Sequence, residues 1–425
     1  MTGAGRSEPA ARGALSRRAF LGTAALGTAV VGGAAVGGAA LADACGRETA
    51  PEPGRVRGFR GEHQAGVLEP PAPHGLLAAF RCVDPDRAGL ARTLRELSDE
   101  LAGLVGGRAA AEVNSGLPPA DNGVLAEVTD PGLVTTLSVG ASLFNGRYGL
   151  AGRKPRELVT MPFLGNDRLD PARSHGDLLL VLQGREPDVC LHALRRAMRR
   201  TRSGLVLGWT LEVFTRPDAK PQVGRTQSRN LLGFKDGTAN PDAGNAAVMD
   251  DLVWTSRADE PAVPSWAAGG TYQVVRVIRM LVERWDRTSL AEQESLIGRH
   301  KVSGAPLGGS AETDIPAYAD DPAGERVPLD AHIRLANPRD RRSTGKELLR
   351  RGFSYSRGVD GGGQLDQGLA FISYQRRLAH FLEASERLRG ERLEEYVRPE
   401  GGGFFYVLPG VTDDGDWLGR SLLEG

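Results

Sequence analysis

The chain has 425 residues, long enough for two domains, and its 40% hydrophobic and 25% charged content is ordinary for a soluble globular protein. Formal net charge is zero; residues 1–44 hold four Arg and two acids, which leaves 49 basic against 51 acidic side chains and argues against a general nucleic-acid surface. The three cysteines, Cys45, Cys82 and Cys190, form neither CxxC nor CxxCH, which excludes covalent haem attachment of the CxxCH kind.

The first predicted element is a leader. Ser16-Arg17-Arg18-Ala19-Phe20-Leu21 precedes a long run of Ala, Gly, Val and Leu that ends at Ala42-Asp43-Ala44. Twin arginines, a weakly hydrophobic core and an A-x-A end read as a Tat-type signal peptide over residues 1–44. The run is long enough to span a membrane, but its many glycines and the A-x-A end favour cleavage. Cys45 follows the cut, and the charge of Asp43 makes a poor lipobox. The expected mature protein is exported, soluble after cleavage and extracellular or associated with the cell envelope, with the Tat translocase as a transient partner. That route carries folded proteins, so a cofactor can be inserted before export.

Residues 45–72, rich in Pro, Gly and Arg, read as an extended lead-in. A strand over Leu76–Phe80 and a helical pattern around Leu90, Leu94 and Leu97 follow. Further strands are expected near 133–139, at Leu178–Leu182 and near 205–214, with a helix around Leu191, Leu194 and Met198. The arginines at 195, 196, 199, 200 and 202 read as a solvated face of that helix. The second half repeats the theme: a strand over Tyr272–Met280, a helix over 288–298, a strand over Leu369–Tyr374 and a helix over 376–389 ending at Gly390. Two ferredoxin-like α+β domains are therefore expected, 73–225 and 226–425. Regions 257–268 and 310–328 read as surface loops, and the glycine triplets 361–363 and 401–403 as turns.

Three chemistries stand out. Gly233-Phe234-Lys235-Asp236-Gly237-Thr238-Ala239-Asn240-Pro241 places a carboxylate between glycines, where the backbone can approach a flat ligand. Asp-Gly alone would signal no more than a hairpin. His332-Ile333-Arg334-Leu335-Ala336-Asn337-Pro338-Arg339 supplies an imidazole that could ligate a metal, although a lone histidine is usually structural. Arg350 lies eighteen positions after His332, and the adjacent Arg351 fits the same role from sequence alone. A ligand, a proton shuttle and a permanent cation are what a haem peroxidase requires. A ligating histidine usually donates its second N–H to an acceptor; Glu395 is the candidate. Ser343-Thr344-Gly345-Lys346-Glu347 lacks the glycines and the following Ser/Thr of a phosphate loop.

With these motifs stand Gly61-Glu62-His63-Gln64-Ala65-Gly66, Met161-Pro162-Phe163, Asn166-Asp167-Arg168-Leu169-Asp170, His175-Gly176-Asp177-Leu178, Ser303-Gly304-Ala305-Pro306-Leu307, Gln364-Leu365-Asp366 and Leu408-Pro409-Gly410. In this order the chain resembles the dye-decolourising peroxidases, in the exported branch that includes deferrochelatase-type enzymes. The resemblance implies tandem ferredoxin-like domains in a barrel-like arrangement, with non-covalent haem b held mainly by the second half. It makes His332 the iron ligand, Asp236 the acid–base and Arg350 the charge stabiliser. It places Gly237, Thr238 and Ala239 on the distal haem face and Asn337, Pro338 and Arg339 on the proximal side, with Arg339 near a haem carboxylate. Hydrogen peroxide and an aromatic or dye-like reductant are the implied substrates, with activity favoured at acidic pH. Iron release from haem with the porphyrin left intact, and plain haem carriage, are the alternatives. An iron- or copper-trafficking partner and a homo-oligomer stay open. Trp254, Trp266, Trp285, Tyr355 and Tyr374 are candidate radical relays, though core packing is the commoner role of such residues.

Overall fold

The computed structural model describes residues 58–108, 114–126, 128–216 and 228–425. The leader, Cys45 and the 225/226 boundary lie outside the described residues. Four strands form in the first half: β1 (His74–Cys82), β2 (Val134–Gly140), β3 (Leu178–Gly184) and β4 (Leu205–Phe214). Helices α1 (Arg87–Val105) and α2 (Pro187–Arg200) follow β1 and β3. The second half repeats this with β5 (Thr271–Met280), α3 (Leu290–Ile297), β6 (Phe353–Val359), β7 (Leu365–Gln375), α5 (Leu378–Leu388) and β8 (Val397–Val407); a short helix, α4 (His332–Ala336), lies between α3 and β6. Each half has the β-α-β-β-α-β order of a ferredoxin-like unit.

The two sheets join at both edges. The strand order is β5-β8-β2-β3-β1-β4-β6-β7, and β7 pairs back onto β5, so eight antiparallel strands close into a barrel. One seam pairs Phe405–Val407 with Ser138–Gly140, and the other pairs Phe214 with Ser354. Closure covers the inner face of the strands, and helices cover the outer face of β1 and β3, whereas β4 alternates buried and exposed residues. On β1, Leu77 and Ala79 point into the barrel while Leu76, Ala78 and Phe80 pack under the helices. That is why β1 and β3 read as unbroken apolar runs instead of alternating ones.

Several expectations change here. The triplet 361–363 forms a turn, but Gly401–Gly403 lies inside β8. A Cβ at Gly401 would stand 2.5 Å from the Arg173 carbonyl oxygen, and one at Gly402 would stand 2.1 Å from that of Val275. Close approach of neighbouring backbone, not turning, requires these glycines. Within residues 58–72 of the lead-in, Gln64, Val67 and Ala72 are buried, with the Gln64 side chain donating to the carbonyls of Leu137 and Leu408 across the β2–β8 seam. The presumed loops are partly core: Val263, Trp266, Glu312 and Val327 are all buried. The five candidate relay aromatics are buried as well. On α2, Arg196 is not simply solvated, since it pairs with Glu100 at 2.7 Å. Cys82 and Cys190 are free, buried thiols.

Candidate active site

Asp236 sits on a two-residue strand, Lys235–Asp236, paired with Ser228–Arg229. Leu232 and Phe234 anchor the segment in a small core with Trp285, Leu296 and Tyr396, and Trp285 Nε1 donates to the Leu232 carbonyl at 3.0 Å. Gly237, at φ +99°, turns the chain immediately after Asp236. Arg350 lies on a second short strand, Leu349–Arg350, beside β7. Its Nη1 donates to Asp236 Oδ1 at 2.7 Å. Neither side chain is fully buried, so a ligand can reach both.

Sequence reading missed the residue that ties these two strands together. Asn240 Nδ2 donates to the Arg350 carbonyl at 2.9 Å, and the Arg350 N–H donates to Asn240 Oδ1 at 3.1 Å. An amide side chain thus copies a strand-pairing contact. Arg351 is excluded from the site: it is buried and donates to the carbonyls of Leu68 and Glu69.

His332 is the first residue of α4. Its Nδ1 lies 2.8 Å from Glu391 Oε2, with the imidazole 33% and the carboxylate 7% exposed. The partner is therefore Glu391, not Glu395. Glu395, four residues on, points to solvent and pairs with Arg284. The same stretch grips the other end of α4, because Arg387 donates to the carbonyls of Leu335 and Ala336 at 3.2 and 2.9 Å. A cation suits the negative end of a helix. Burial lowers the His332 pKa, but the charge and hydrogen bond of Glu391 outweigh it and leave it raised. The Arg350 charge lowers this pKa and the Asp236 charge raises it, both by less than Glu391 does.

The sequence matches the Dyp-type peroxidase N-terminal domain over residues 64–214 and its C-terminal domain over residues 227–412. The chain belongs to the Dyp-type peroxidase family. Curated relatives named deferrochelatase are 48% identical over 368 residues in Yersinia pestis and 49% identical over 369 residues in Escherichia coli O6:K15:H31. The aligned region covers 86% of this chain in both cases, with 84% and 87% of the relatives' lengths. Among solved structures, a DyP-type peroxidase from Streptomyces coelicolor is 35% identical with a TM-score of 0.76, covering 86% of this chain and 96% of its own. One from Cellulomonas bogoriensis is 33% identical with a TM-score of 0.77, covering 87% and 99%.

For a Dyp-type peroxidase the donor set is telling. Glu391 engages Nδ1 of His332, which leaves Nε2 for a metal. Among the described residues no three His, Cys, Asp or Glu side chains gather in metal-binding geometry. A single imidazole suits an iron whose in-plane ligands come from a porphyrin. Gly237 and Thr238 are half-buried and Ala239 exposed beside Asp236. On the histidine side Asn337 and Pro338 are half-buried and Arg339 is exposed, its backbone at φ +57° and its N–H donating to Asn337 Oδ1 at 3.1 Å.

Proposed function

We propose that this Dyp-type peroxidase binds haem b non-covalently and reduces hydrogen peroxide at the expense of bulky aromatic, dye-like donors. The observation that carries the reading is the Asp236–Arg350 pair at 2.7 Å, in a chain whose candidate iron ligand, His332, is held by Glu391 at 2.8 Å. A haem carrier needs an iron ligand but no carboxylate beside a permanent cation. Haem, when bound, supplies the electrons that break the peroxide O–O bond. His332 would hold it through Nε2, and donation of the Nδ1 proton to Glu391 would make the ligand more basic. Before that bond breaks, a proton passes from one peroxide oxygen to the other, and the Asp236 carboxylate would accept and return it. Arg350 stays protonated and offsets the charge that develops on the departing oxygen. Gly237, Thr238 and Ala239 would line that side, with Asn337, Pro338 and Arg339 on the other.

A second reading draws on the relatives named deferrochelatase: the same site would release iron and leave the porphyrin intact. Incubating the haem-loaded protein with dye, peroxide and a ferrous chelator separates the two. Peroxide-dependent dye loss that disappears in Asp236→Asn supports the first. Chelated iron beside metal-free porphyrin, without peroxide turnover, overturns it. Export belongs to the proposal, on the strength of Arg17-Arg18 and Ala42-Asp43-Ala44. A variant with both arginines changed to lysine should stay in the cytoplasm, and its unimpaired export would refute the leader reading.

A further inference from the structure

Beside the Asp236 turn lies a buried ion pair that the peroxide chemistry does not use. Glu312 is 1% exposed. Its carboxylate takes two side chains from one short stretch: Oε2 pairs with the Lys235 ammonium, and Oε1 accepts the Thr238 hydroxyl at 2.9 Å. Lys235 precedes Asp236 and Thr238 follows two residues after it, so a single carboxylate grips the turn on both sides of the acid–base.

Glu312 is itself held. Its main-chain carbonyl accepts from Arg299 Nη1 at 3.1 Å, and the same nitrogen donates to the Gly304 carbonyl at 2.6 Å. Gly304 has φ +77°, and a Cβ there would stand 2.8 Å from Cδ of Lys235 and 3.3 Å from Cγ of Glu312. The Ser303–Leu307 backbone thus passes over the ion pair at a distance that only glycine permits. That segment, Glu312 and the Asp236 turn form one braced unit.

A buried ion pair adds little net stability, because desolvation offsets much of its attraction, and its best-attested use is to fix one arrangement over others. Proton transfer needs such fixing, since a misplacement of about 1 Å can cost about a hundredfold in rate. We propose that Glu312 is the positioning residue of the peroxide step, holding the Asp236 turn through Lys235 and Thr238 so that the carboxylate meets Arg350. The proposal rests on the reading of Asp236 as the proton carrier.

Glu312→Gln keeps an acceptor for Thr238 and removes the charge facing Lys235. In the holoenzyme the second-order rate with hydrogen peroxide should fall about tenfold or more, while the KM for the dye stays within about twofold. In the haem-free protein, amide exchange across residues 233–240 should quicken about tenfold, with the barrel strands unchanged. Gly304→Ala presses on the same pair from outside and should give the same pattern, so the test survives a Glu312 variant that fails to fold. Lys235→Gln combined with Glu312→Gln replaces the ion pair with two amides and should recover part of the lost rate. A lower melting temperature with an unchanged peroxide rate per haem would mark Glu312 as merely structural and overturn the proposal. Asp236→Asn separates the two layers. If it leaves the peroxide rate unchanged, the reading of Asp236 fails; if it slows the rate while Glu312→Gln and Gly304→Ala do not, the positioning role alone fails.

Discussion

Replacing Glu391 with glutamine tests how the histidine side of the site is held. The carboxylate is 7% exposed and accepts a hydrogen bond from the Nδ1–H of His332 at 2.8 Å. Hydrogen bonds to charged groups contribute about 1.5–3 kcal/mol, and an amide oxygen keeps a neutral bond at roughly half that strength. The loss of about 0.75–1.5 kcal/mol should weaken haem retention by roughly three- to tenfold, at the low end of the about ten- to hundredfold range for partners of metal-binding histidines. The assay is the rate at which excess apomyoglobin strips haem from each variant. Glu395→Gln serves as the comparison, because its carboxylate is 59% exposed and pairs with Arg284. Faster loss from Glu391→Gln, with Glu395→Gln behaving as the unaltered protein, is expected. The reverse ranking would refute the assignment of the partner.

Three further outcomes are expected. Arg350→Leu removes the cation 2.7 Å from Asp236 and should slow the stopped-flow reaction with peroxide by about 10²–10³; an unchanged rate would place the stabilising charge elsewhere. In the haem-free protein the pKa of His332 is raised above its ordinary 6.5. Its protonation therefore stabilises the fold at pH below the ordinary imidazole value, and this contribution fades as pH rises through the elevated pKa. Melting temperatures across pH should show that slope, and Glu391→Gln should flatten it. Haem and proton compete for Nε2, so haem affinity should fall on acidification. Burial also pushes both cysteine thiols up, Cys190 to about 12. Alkylation at neutral pH followed by peptide mapping should find Cys82 and Cys190 unlabelled in the native protein and labelled after denaturation.

Much of the fold was legible because the barrel interior buries one face of β1 and β3 and the helices bury the other, turning them into runs such as Leu76–Phe80. The strands β6 and β8 escaped notice for the opposite reason. Glycines at 358 and 401–403 interrupt their apolar pattern, although at Gly401 and Gly402 a Cβ would collide with neighbouring backbone. Composition alone cannot distinguish a glycine that turns from one that lets two chains touch. At the site, Asp236, His332 and Arg350 carried distinctive chemistry in recognisable company. Their supports did not. Glu391 and Glu395 lie one helical turn apart, and no spacing rule says which reaches a histidine 59 residues away. Asn240 reads as a turn residue before proline until the Arg350 main chain is beside it. Glu312 sits in a Pro-, Asp- and Ala-rich stretch that looks like surface, yet it is among the most deeply buried acids described.

The most direct test of the central claim is the visible spectrum of the haem-loaded protein, taken before and after one equivalent of hydrogen peroxide at mildly acidic pH. It should be run beside the Asp236→Asn, Arg350→Leu double variant. The unaltered protein should show a ferric Soret band that changes at once on adding peroxide, whereas the double variant should show the same initial band and respond far more slowly. Failure to form a Soret band on adding haem would contradict ligation by His332, and equal responses in the two proteins would contradict the roles of Asp236 and Arg350.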